Sequence, residues 1–124
     1  MPHIGSLYEA NIVQQAHAFN QPLCAAEIAA GSGSLSERFS LVHADSPAVI
    51  IDTVKKAEGS NDMIVRLYEA YNSRALATVA VADGFSEAYL CDLMENELEK
   101  LPFADNKVQI PVKNFEIVTL KFKK

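Results

Sequence analysis

Few side chains in this sequence have the types and spacing that metal or phosphate chemistry requires. His43 and Asp45 stand two positions apart, but two ligands do not complete a metal site, and His3 and His17 fall in no recognisable spacing with them. The run of residues 31–34, Gly-Ser-Gly-Ser, lacks the Lys-Ser/Thr pair and the glycine spacing of phosphate-binding loops. It favours a flexible connection, and neither motif predicts a site.

Acidic side chains crowd a second stretch of the chain. Between Leu90 and Leu101 there are four carboxylates, with Lys100 as the only base: Asp92, Glu95, Glu97 and Glu99. Paired carboxylates can supply acid–base and nucleophilic chemistry, as they do in glycosidases. Nothing in their spacing shows two of them converging on a substrate, so the pattern favours a solvated acidic rim.

Three tyrosines are candidates for a binding surface. Aromatic faces suit the apolar side of a sugar, so Tyr68, Tyr71 and Tyr89 could form a stacking platform. The alternative is that these tyrosines are core or interface residues, which is the commoner use of such side chains.

Composition sets the broad class. The chain has 124 residues, 49% of them hydrophobic and 22% charged, which fits one soluble domain with a real core. The net charge of −5 argues against sequence-independent nucleic-acid binding and against an anionic membrane surface. No apolar run approaches the roughly 18 residues of a membrane-spanning helix.

The N-terminus and the cysteines indicate a cytoplasmic protein. Residues 1–6 show no basic region followed by an apolar stretch, so we expect no secretory signal and interpret these six residues as added or disordered. Without such a signal, Cys24 and Cys91 are expected to be reduced and to behave as two small buried hydrophobic residues.

The elements that would position these groups are strands. Ala48–Arg74 predicts a hairpin, because two apolar runs flank the polar cluster at residues 59–62. Its second strand places Met63, Val65, Leu67, Glu69 and Tyr71 on one face, and Ile64, Arg66, Tyr68 and Ala70 on the other. Each face carries apolar bulk and one charge, so both faces are expected to be at least partly covered.

The rest of the chain repeats this pattern. Strands are predicted at residues 23–30 (weakly), 37–43, 75–82, 85–93, 107–112 and 115–123. The dipeptide Asp83-Gly84 predicts a second hairpin between residues 75–82 and 85–93. Pro111 predicts an edge strand or a strand end, while residues 7–20 and 90–101 fit either a helix or a strand. Short strands joined by Gly, Asp and Asn turns indicate an all-β fold, an antiparallel β-sandwich.

Four segments carry a resemblance to a known family. The runs AVIIDTVKKAE, MIVRLYEAYNSR, AYLCDLMENELEKL and VKNFEIVTLKF resemble the C-terminal β-sandwich of glycoside hydrolase family 38 α-mannosidases. Phe19-Asn20-Gln21-Pro22-Leu23 resembles the segment that precedes it there. The match extends from about Ile12 to Phe122, and it departs at Asn114, where the family usually has Pro.

The resemblance implies one C-terminal domain, residues 1–124, of a larger enzyme that removes α-linked mannose from glycans with retention. It implies that a separate α/β domain carries the zinc, the nucleophile and the acid/base, and that a helical bundle lies between. None of those catalytic motifs occurs in this sequence, so no catalytic, cofactor-binding or metal-binding residue is assigned. The implied partners are the catalytic and helical domains and, through them, a mannose-containing glycan.

Three charges are the candidates for contacts with those domains: Arg66, Glu69 and Arg74. A buried Arg–Glu arrangement is costly unless it is paired and hydrogen-bonded, and Arg66 and Glu69 fall on opposite faces of a regular strand. The plain alternative is that they are rim charges on a sheet. A docking domain is expected to expose an apolar patch and to self-associate when isolated. The alternative function is an independent β-sandwich module that binds carbohydrate or protein.

Overall fold

The computed structural model describes residues 3–29 and 31–124. The chain divides into two compact units, Met1–Ser40 and Leu41–Lys124. The first unit contains the helix α1, Ile12–Asn20, and none of the residues of α1 is buried. Residues 7–20 fitted either a helix or a strand, and the later part of that stretch forms a helix.

One strand predicted in the first unit is absent. Residues 23–29 form no strand, and Ala30 lies outside the described residues. Leu23 is fully exposed, so this stretch lacks the apolar burial that would offset the entropy of ordering a strand. The prediction for residues 1–6 falls partly outside the described residues, and it stays a prediction, as does the assignment of residues 1–124 to one domain.

The second unit is built from nine strands. In chain order they are β1 (Val42–Ala44), β2 (Val49–Lys56), β3 (Met63–Glu69), β4 (Ala75–Val81), β5 (Glu87–Cys91), β6 (Glu97–Leu101), β7 (Phe103–Ala104), β8 (Lys107–Val112) and β9 (Ile117–Lys123). They form a four-stranded sheet in the order β1-β4-β8-β7 and a five-stranded sheet in the order β2-β3-β9-β5-β6. Neighbouring strands pair antiparallel throughout, which confirms the predicted antiparallel β-sandwich.

The core follows from period-two alternation. Val65 and Leu67 on β3 stand opposite Leu120 and Val118 on β9, and all four are buried. The inner face of the four-stranded sheet supplies Ala77, Val79, Val81, Val108, Ile110 and Val112. Phe122 completes the core with edge-on contacts to Phe85 and Phe103, whose ring centroids lie 6.1 and 5.8 Å away. Each large side chain that is fully buried contributes about 1.5–3 kcal/mol.

The two hairpin predictions have different outcomes. The central one is confirmed, because β2 and β3 pair in register from Val49↔Glu69 to Lys56↔Met63. The one across Asp83-Gly84 is wrong, since β4 belongs to the four-stranded sheet and β5 to the five-stranded sheet. Phe85 explains the difference. Its ring packs on Phe122 in the core, so the connection crosses between the sheets and does not fold back within one.

Three further expectations are resolved. Residues 90–101 contain the end of β5, a loop and β6, so they are not helical. Pro111 lies next to the end of β8, beyond the two residues that pair with β7, as predicted for a strand end. Both cysteines are free, and Cys91 is buried; Cys24 is exposed, so its expected burial is wrong. Nothing in its segment of the first unit covers it, since residues 21–29 are all exposed.

Candidate functional site

A pocket opens on the outer face of the five-stranded sheet, the face turned away from the core. Its volume is about 550 Å³, and its lining includes Asp52, Arg66, Tyr68, Leu93, Phe115 and Ile117. β3 and β9 place two of these side by side, because Tyr68 pairs with Ile117 and directly paired residues share a face. A β-bulge between Ile51 and Thr53 brings in Asp52, as an extra residue on β2 can re-aim a side chain.

Arg66 forms one wall of the pocket. Its Nη2 donates a 2.6 Å hydrogen bond to the carbonyl oxygen of Leu93, in the loop between β5 and β6. Its Nε is buried and has no hydrogen-bond partner within the described part of the chain. A buried donor left without a partner costs about 1–3 kcal/mol. The hydrogen-bonding groups of this guanidinium are therefore only partly paired.

The loop that Arg66 contacts is fastened across the sheet by Glu95. Residues 92–96 connect β5 to β6, and the carboxylate of Glu95 lies 2.6 Å from Lys55 Nζ and accepts a 2.8 Å hydrogen bond from the Glu58 amide. Lys121 Nζ donates to the Glu95 carbonyl at 2.9 Å. Hydrogen bonds from Lys55 and from the Glu58 amide hold the pKa of Glu95 below its usual value, against the effect of burial.

Glu69 is another residue of the pocket lining, and it holds two loops together. It is 1% exposed, and its oxygens accept hydrogen bonds from the Tyr71 amide (2.8 Å), the Ser73 hydroxyl (2.9 Å) and the Phe115 amide (3.0 Å). Burial by itself would raise the pKa of Glu69, but hydrogen bonds from Phe115, Tyr71 and Ser73 together hold it below its usual value. The carboxylate thus joins the loop after β3 to the loop before β9.

Phe115 has an unusual backbone in this second loop. Its φ is +53°, a left-handed conformation that is uncommon for a bulky side chain. The preceding residue, Asn114, donates from Nδ2 to the Asn72 carbonyl at 2.7 Å. The side-chain bond of Asn114 therefore helps to hold the approach to β9.

The three predicted contact residues lie in different surroundings. Arg66 and Glu69 both contribute to the pocket lining, where Glu69 is buried, and Arg74 is exposed just before β4. The inter-domain role of all three stays a prediction. Phe115, Leu93 and Asp52 were not anticipated from the sequence. Phe115 lies in a turn before the last strand, Leu93 is an apolar residue inside an acidic loop, and Asp52 lies at a bulge.

Two carboxylates of the acidic stretch are paired with lysines. Glu97 binds Lys123 Nζ at 2.9 Å and Lys121 Nζ at 3.3 Å, and Glu95 is tied to Lys55. Glu97 and Glu99 are exposed, as expected for a rim, but for Glu95 that expectation is wrong. Glu95 is only 7% exposed because the loop folds back onto the sheet.

The tyrosines do not form one platform. Tyr68 pairs with Ile117 and Tyr89 with Lys121, so the two tyrosines lie on either side of β9 and are offset along it by four positions, about 13 Å. The ring of Tyr89 has Lys123 Nζ 4.4 Å from its centroid. Only Tyr68 borders the pocket.

Metal ligation and membrane insertion were also considered at the sequence level. Among residues 3–29 and 31–124 no group of three or more His, Cys, Asp or Glu side chains could hold a metal ion. Asp45, one half of the His43–Asp45 pair, accepts a 2.7 Å hydrogen bond from the Thr78 amide. No helix in the described residues is long and apolar enough to span a membrane.

Fold and pocket together define the class, an antiparallel β-sandwich domain with an open site on one outer face. The model of the family described as the glycosyl hydrolases family 38 C-terminal beta sandwich domain matches residues 48–120. The chain belongs to this family, and the resemblance seen in the sequence is confirmed.

Similar proteins carry α-mannosidase names. Alpha-mannosidase 2C1 of Homo sapiens is 34% identical over 97% of this chain, and Alpha-mannosidase 2C1 of Mus musculus is 32% identical over the same share. Alpha-mannosidase G of Dictyostelium discoideum is 24% identical over 98% of the chain. The chain spans 12% of the length of each of these relatives.

Proposed function

We propose that this chain is the non-catalytic C-terminal domain of an α-mannosidase that hydrolyses α-linked mannose in glycans. In this proposal it packs against the zinc-dependent catalytic domain and supports it. One observation carries the proposal. The family match at residues 48–120 is to a C-terminal β-sandwich, and the α-mannosidases that the chain resembles are about eight times longer.

The chemistry belongs, in this proposal, to other domains. The zinc, the nucleophile and the acid/base are proposed to lie in the catalytic domain, and the glycan is proposed to bind there. The catalytic and helical domains are the proposed partners. Cytoplasm is the proposed location, supported by the two free cysteines, of which Cys24 is exposed.

An activity assay tests the non-catalytic assignment. The isolated chain is incubated with an aryl α-mannoside, with and without added zinc, and we expect no release of the aryl alcohol. Zinc-dependent turnover by this chain would contradict the proposal. The supporting role is tested in the α-mannosidase that contains the chain. Removal of residues 41–124 is expected to lower its midpoint of thermal inactivation.

Self-association of the isolated chain is part of the same proposal. Apolar side chains remain on the outer face of the five-stranded sheet, among them Leu93, Phe115 and Ile117, and an uncovered apolar patch favours association. Sedimentation velocity over a range of concentrations is expected to show a rising sedimentation coefficient. A sedimentation coefficient that stays at the monomer value at every concentration would contradict self-association.

The pocket favours a second candidate, an independent module that binds carbohydrate. It places the ring of Tyr68 beside Asp52 and Arg66, and an aromatic surface with a few polar groups is a common arrangement in ligand sites. Isothermal titration with mannose and mannobiose separates the two functions. Binding by the isolated chain that is lost in Tyr68→Ala would favour the module, and absence of heat would favour docking.

A further inference from the structure

Three exposed apolar side chains border the pocket and form what we call the Phe115 patch: Leu93, Phe115 and Ile117. Their residues are 60%, 62% and 62% exposed. They come from two separate parts of the chain: Leu93 from the β5–β6 loop, and Phe115 and Ile117 from the stretch where the preceding loop enters β9. The pocket brings them to one place on the outer face, beside the guanidinium of Arg66.

Phe115 is held in this position at an energetic cost. A left-handed backbone costs a non-glycine residue roughly 1–2 kcal/mol, and the exposed ring recovers little of this by burial within the described chain. The conformation is fixed by bonds around it. Its amide donates to Glu69 at 3.0 Å, and the Lys113 amide donates to Glu116 Oε2 at 2.7 Å. Backbone strain that the surroundings enforce is found preferentially at functional sites.

The size of the patch limits what can cover it. With an aromatic side chain offering 150–250 Å², three side chains of this exposure present roughly 350 Å². A stable complex between separate molecules buries about 800 Å² on each partner, so a second copy of this chain would be held only weakly. A domain tethered in the same polypeptide needs far less contact, because the tether raises its effective concentration to about the millimolar range.

We infer that the Phe115 patch is the surface on which another domain of the same polypeptide docks, with Phe115 as its anchor in an apolar depression of that domain. The inference rests on the proposed function, and it specifies that the outer face of the five-stranded sheet is the one that is covered. The length of the relatives supports the choice of occupant, because 88% of each lies outside the region that this chain matches.

Side-chain footprinting tests which face is covered. Leu76 is a matched reference, since it is 63% exposed and lies on β4, on the outer face of the other sheet. Hydroxyl-radical labelling is compared between the isolated chain and the α-mannosidase that contains it. We expect labelling of Phe115 to fall at least fivefold in the whole enzyme, with labelling of Leu76 unchanged.

The other labelling outcomes separate the inference about the Phe115 patch from the proposed function. Protection of Leu76 without Phe115 would overturn the inference and leave the proposed function standing, because the domain would dock by its other face. Labelling of both residues at the same level in the isolated chain and in the whole enzyme would overturn the inference and the packing part of the proposed function together.

Two variant comparisons test the anchor. Phe115→Asn replaces the ring with a residue that tolerates a left-handed backbone, so the urea midpoint of the isolated chain is expected to be unchanged or higher. In the whole enzyme the same variant is expected to lower the midpoint of thermal inactivation by several degrees. Ile117→Thr is also expected to lower the midpoint of thermal inactivation of the whole enzyme. The matched Leu76→Thr is expected to leave that midpoint unchanged. Equal effects of Ile117→Thr and Leu76→Thr would overturn the inference.

Discussion

A single buried carboxylate fixes the conformation of the loops beneath the pocket. Glu69 ends β3 on the inward-facing row of side chains, where a charge would be unstable without partners. It is stabilised there by three donors, two of them backbone amides. Glu69 therefore joins the loops at residues 70–74 and 113–116, together with the hydrogen bond from Asn114 to Asn72.

Substitution of Glu69 is expected to destabilise the sandwich strongly. Glu69→Ala leaves three donors without an acceptor, and hydrogen bonds to a charged group contribute about 1.5–3 kcal/mol each. Partial rescue by water reduces the total, so we expect a loss of about 3 kcal/mol in the free energy of unfolding. Glu69→Gln keeps the shape but turns an amide N–H toward a donor, with an expected loss of about 1–2 kcal/mol. Urea denaturation measures both.

Glu99 provides the matched control. It is exposed on β6, and Glu99→Gln is expected to change the free energy of unfolding by less than about 0.5 kcal/mol. A loss in Glu69→Ala no larger than in this control would show that the loops are held by other contacts.

Residue-scale features were only partly predictable from the sequence. Alternation along β3 correctly placed Glu69 on the row of Met63, Val65 and Leu67. Its partner Phe115 is 46 positions away in the chain, and periodicity carries no information about which loops meet. The left-handed backbone of Phe115 has no local signal either, because the residues that prefer it are Gly and Asn.

At the scale of elements, the loop between β5 and β6 acts as a strap across the outer face. Its two ends are paired strands, and its middle is fastened to the β2–β3 hairpin through Glu95, Lys55 and the Glu58 amide. Asp92 closes the loop on itself by accepting bonds from the amides of Met94 and Asn96, both at 2.9 Å. The strap positions Leu93 at the pocket.

Removal of the Glu95 side chain is expected to release this strap. In Glu95→Ala the Glu58 amide loses its acceptor, so its hydrogen exchange should accelerate at least tenfold. The free energy of unfolding should fall by about 2 kcal/mol. Amide exchange followed by NMR measures the first effect, and urea denaturation measures the second.

Glu97→Ala is the control for the strap. Glu97 lies two positions further on and binds Lys121 and Lys123, which are on β9. This variant should leave exchange at Glu58 unchanged. Acceleration of similar size in both variants would mean that the loop responds to general destabilisation, and that Glu95 has no special role as a fastening.

Strand positions were easier to predict than strand partners. Alternation located β2, β3, β4, β8 and β9 to within a few residues, because each has one buried row. It could not assign β4 and β5 to different sheets, since Asp83-Gly84 is compatible with a hairpin and with a crossing. The position of Phe85 in the core decided between them, and that position depends on Phe122, which follows it by 37 residues.

At the scale of the whole molecule, fold class and family could both be read from the sequence. Regular short strands indicated a β-sandwich, and four segments carried the family resemblance. The pocket could not be predicted, because its walls come from β2, β3, β9 and three loops that only the tertiary structure brings together.

Acid stability is a property of the whole molecule. Lysine hydrogen bonds lower the pKa of Glu87, Glu95 and Glu97, and hydrogen bonds from Phe115, Tyr71 and Ser73 outweigh burial at Glu69. A carboxylate whose pKa is lower in the folded chain stabilises it above the unfolded value, about 4.3, and loses that effect as pH falls through the folded value. We expect the urea midpoint to be level from pH 7 to about 5 and to fall below about 4.5.

Glu69→Gln tests one part of this decline. Gln cannot ionise, so the variant lacks the contribution that Glu69 makes while it is charged. The difference in free energy of unfolding between wild type and variant should therefore be largest at pH 7 and should shrink as pH falls toward 3. The exposed variant Glu99→Gln is measured over the same pH range as the control. A wild-type-to-variant difference that stays constant down to pH 3 would mean that Glu69 is not held as a charged group in the folded chain, and that its loops are joined by hydrogen bonds to a neutral side chain.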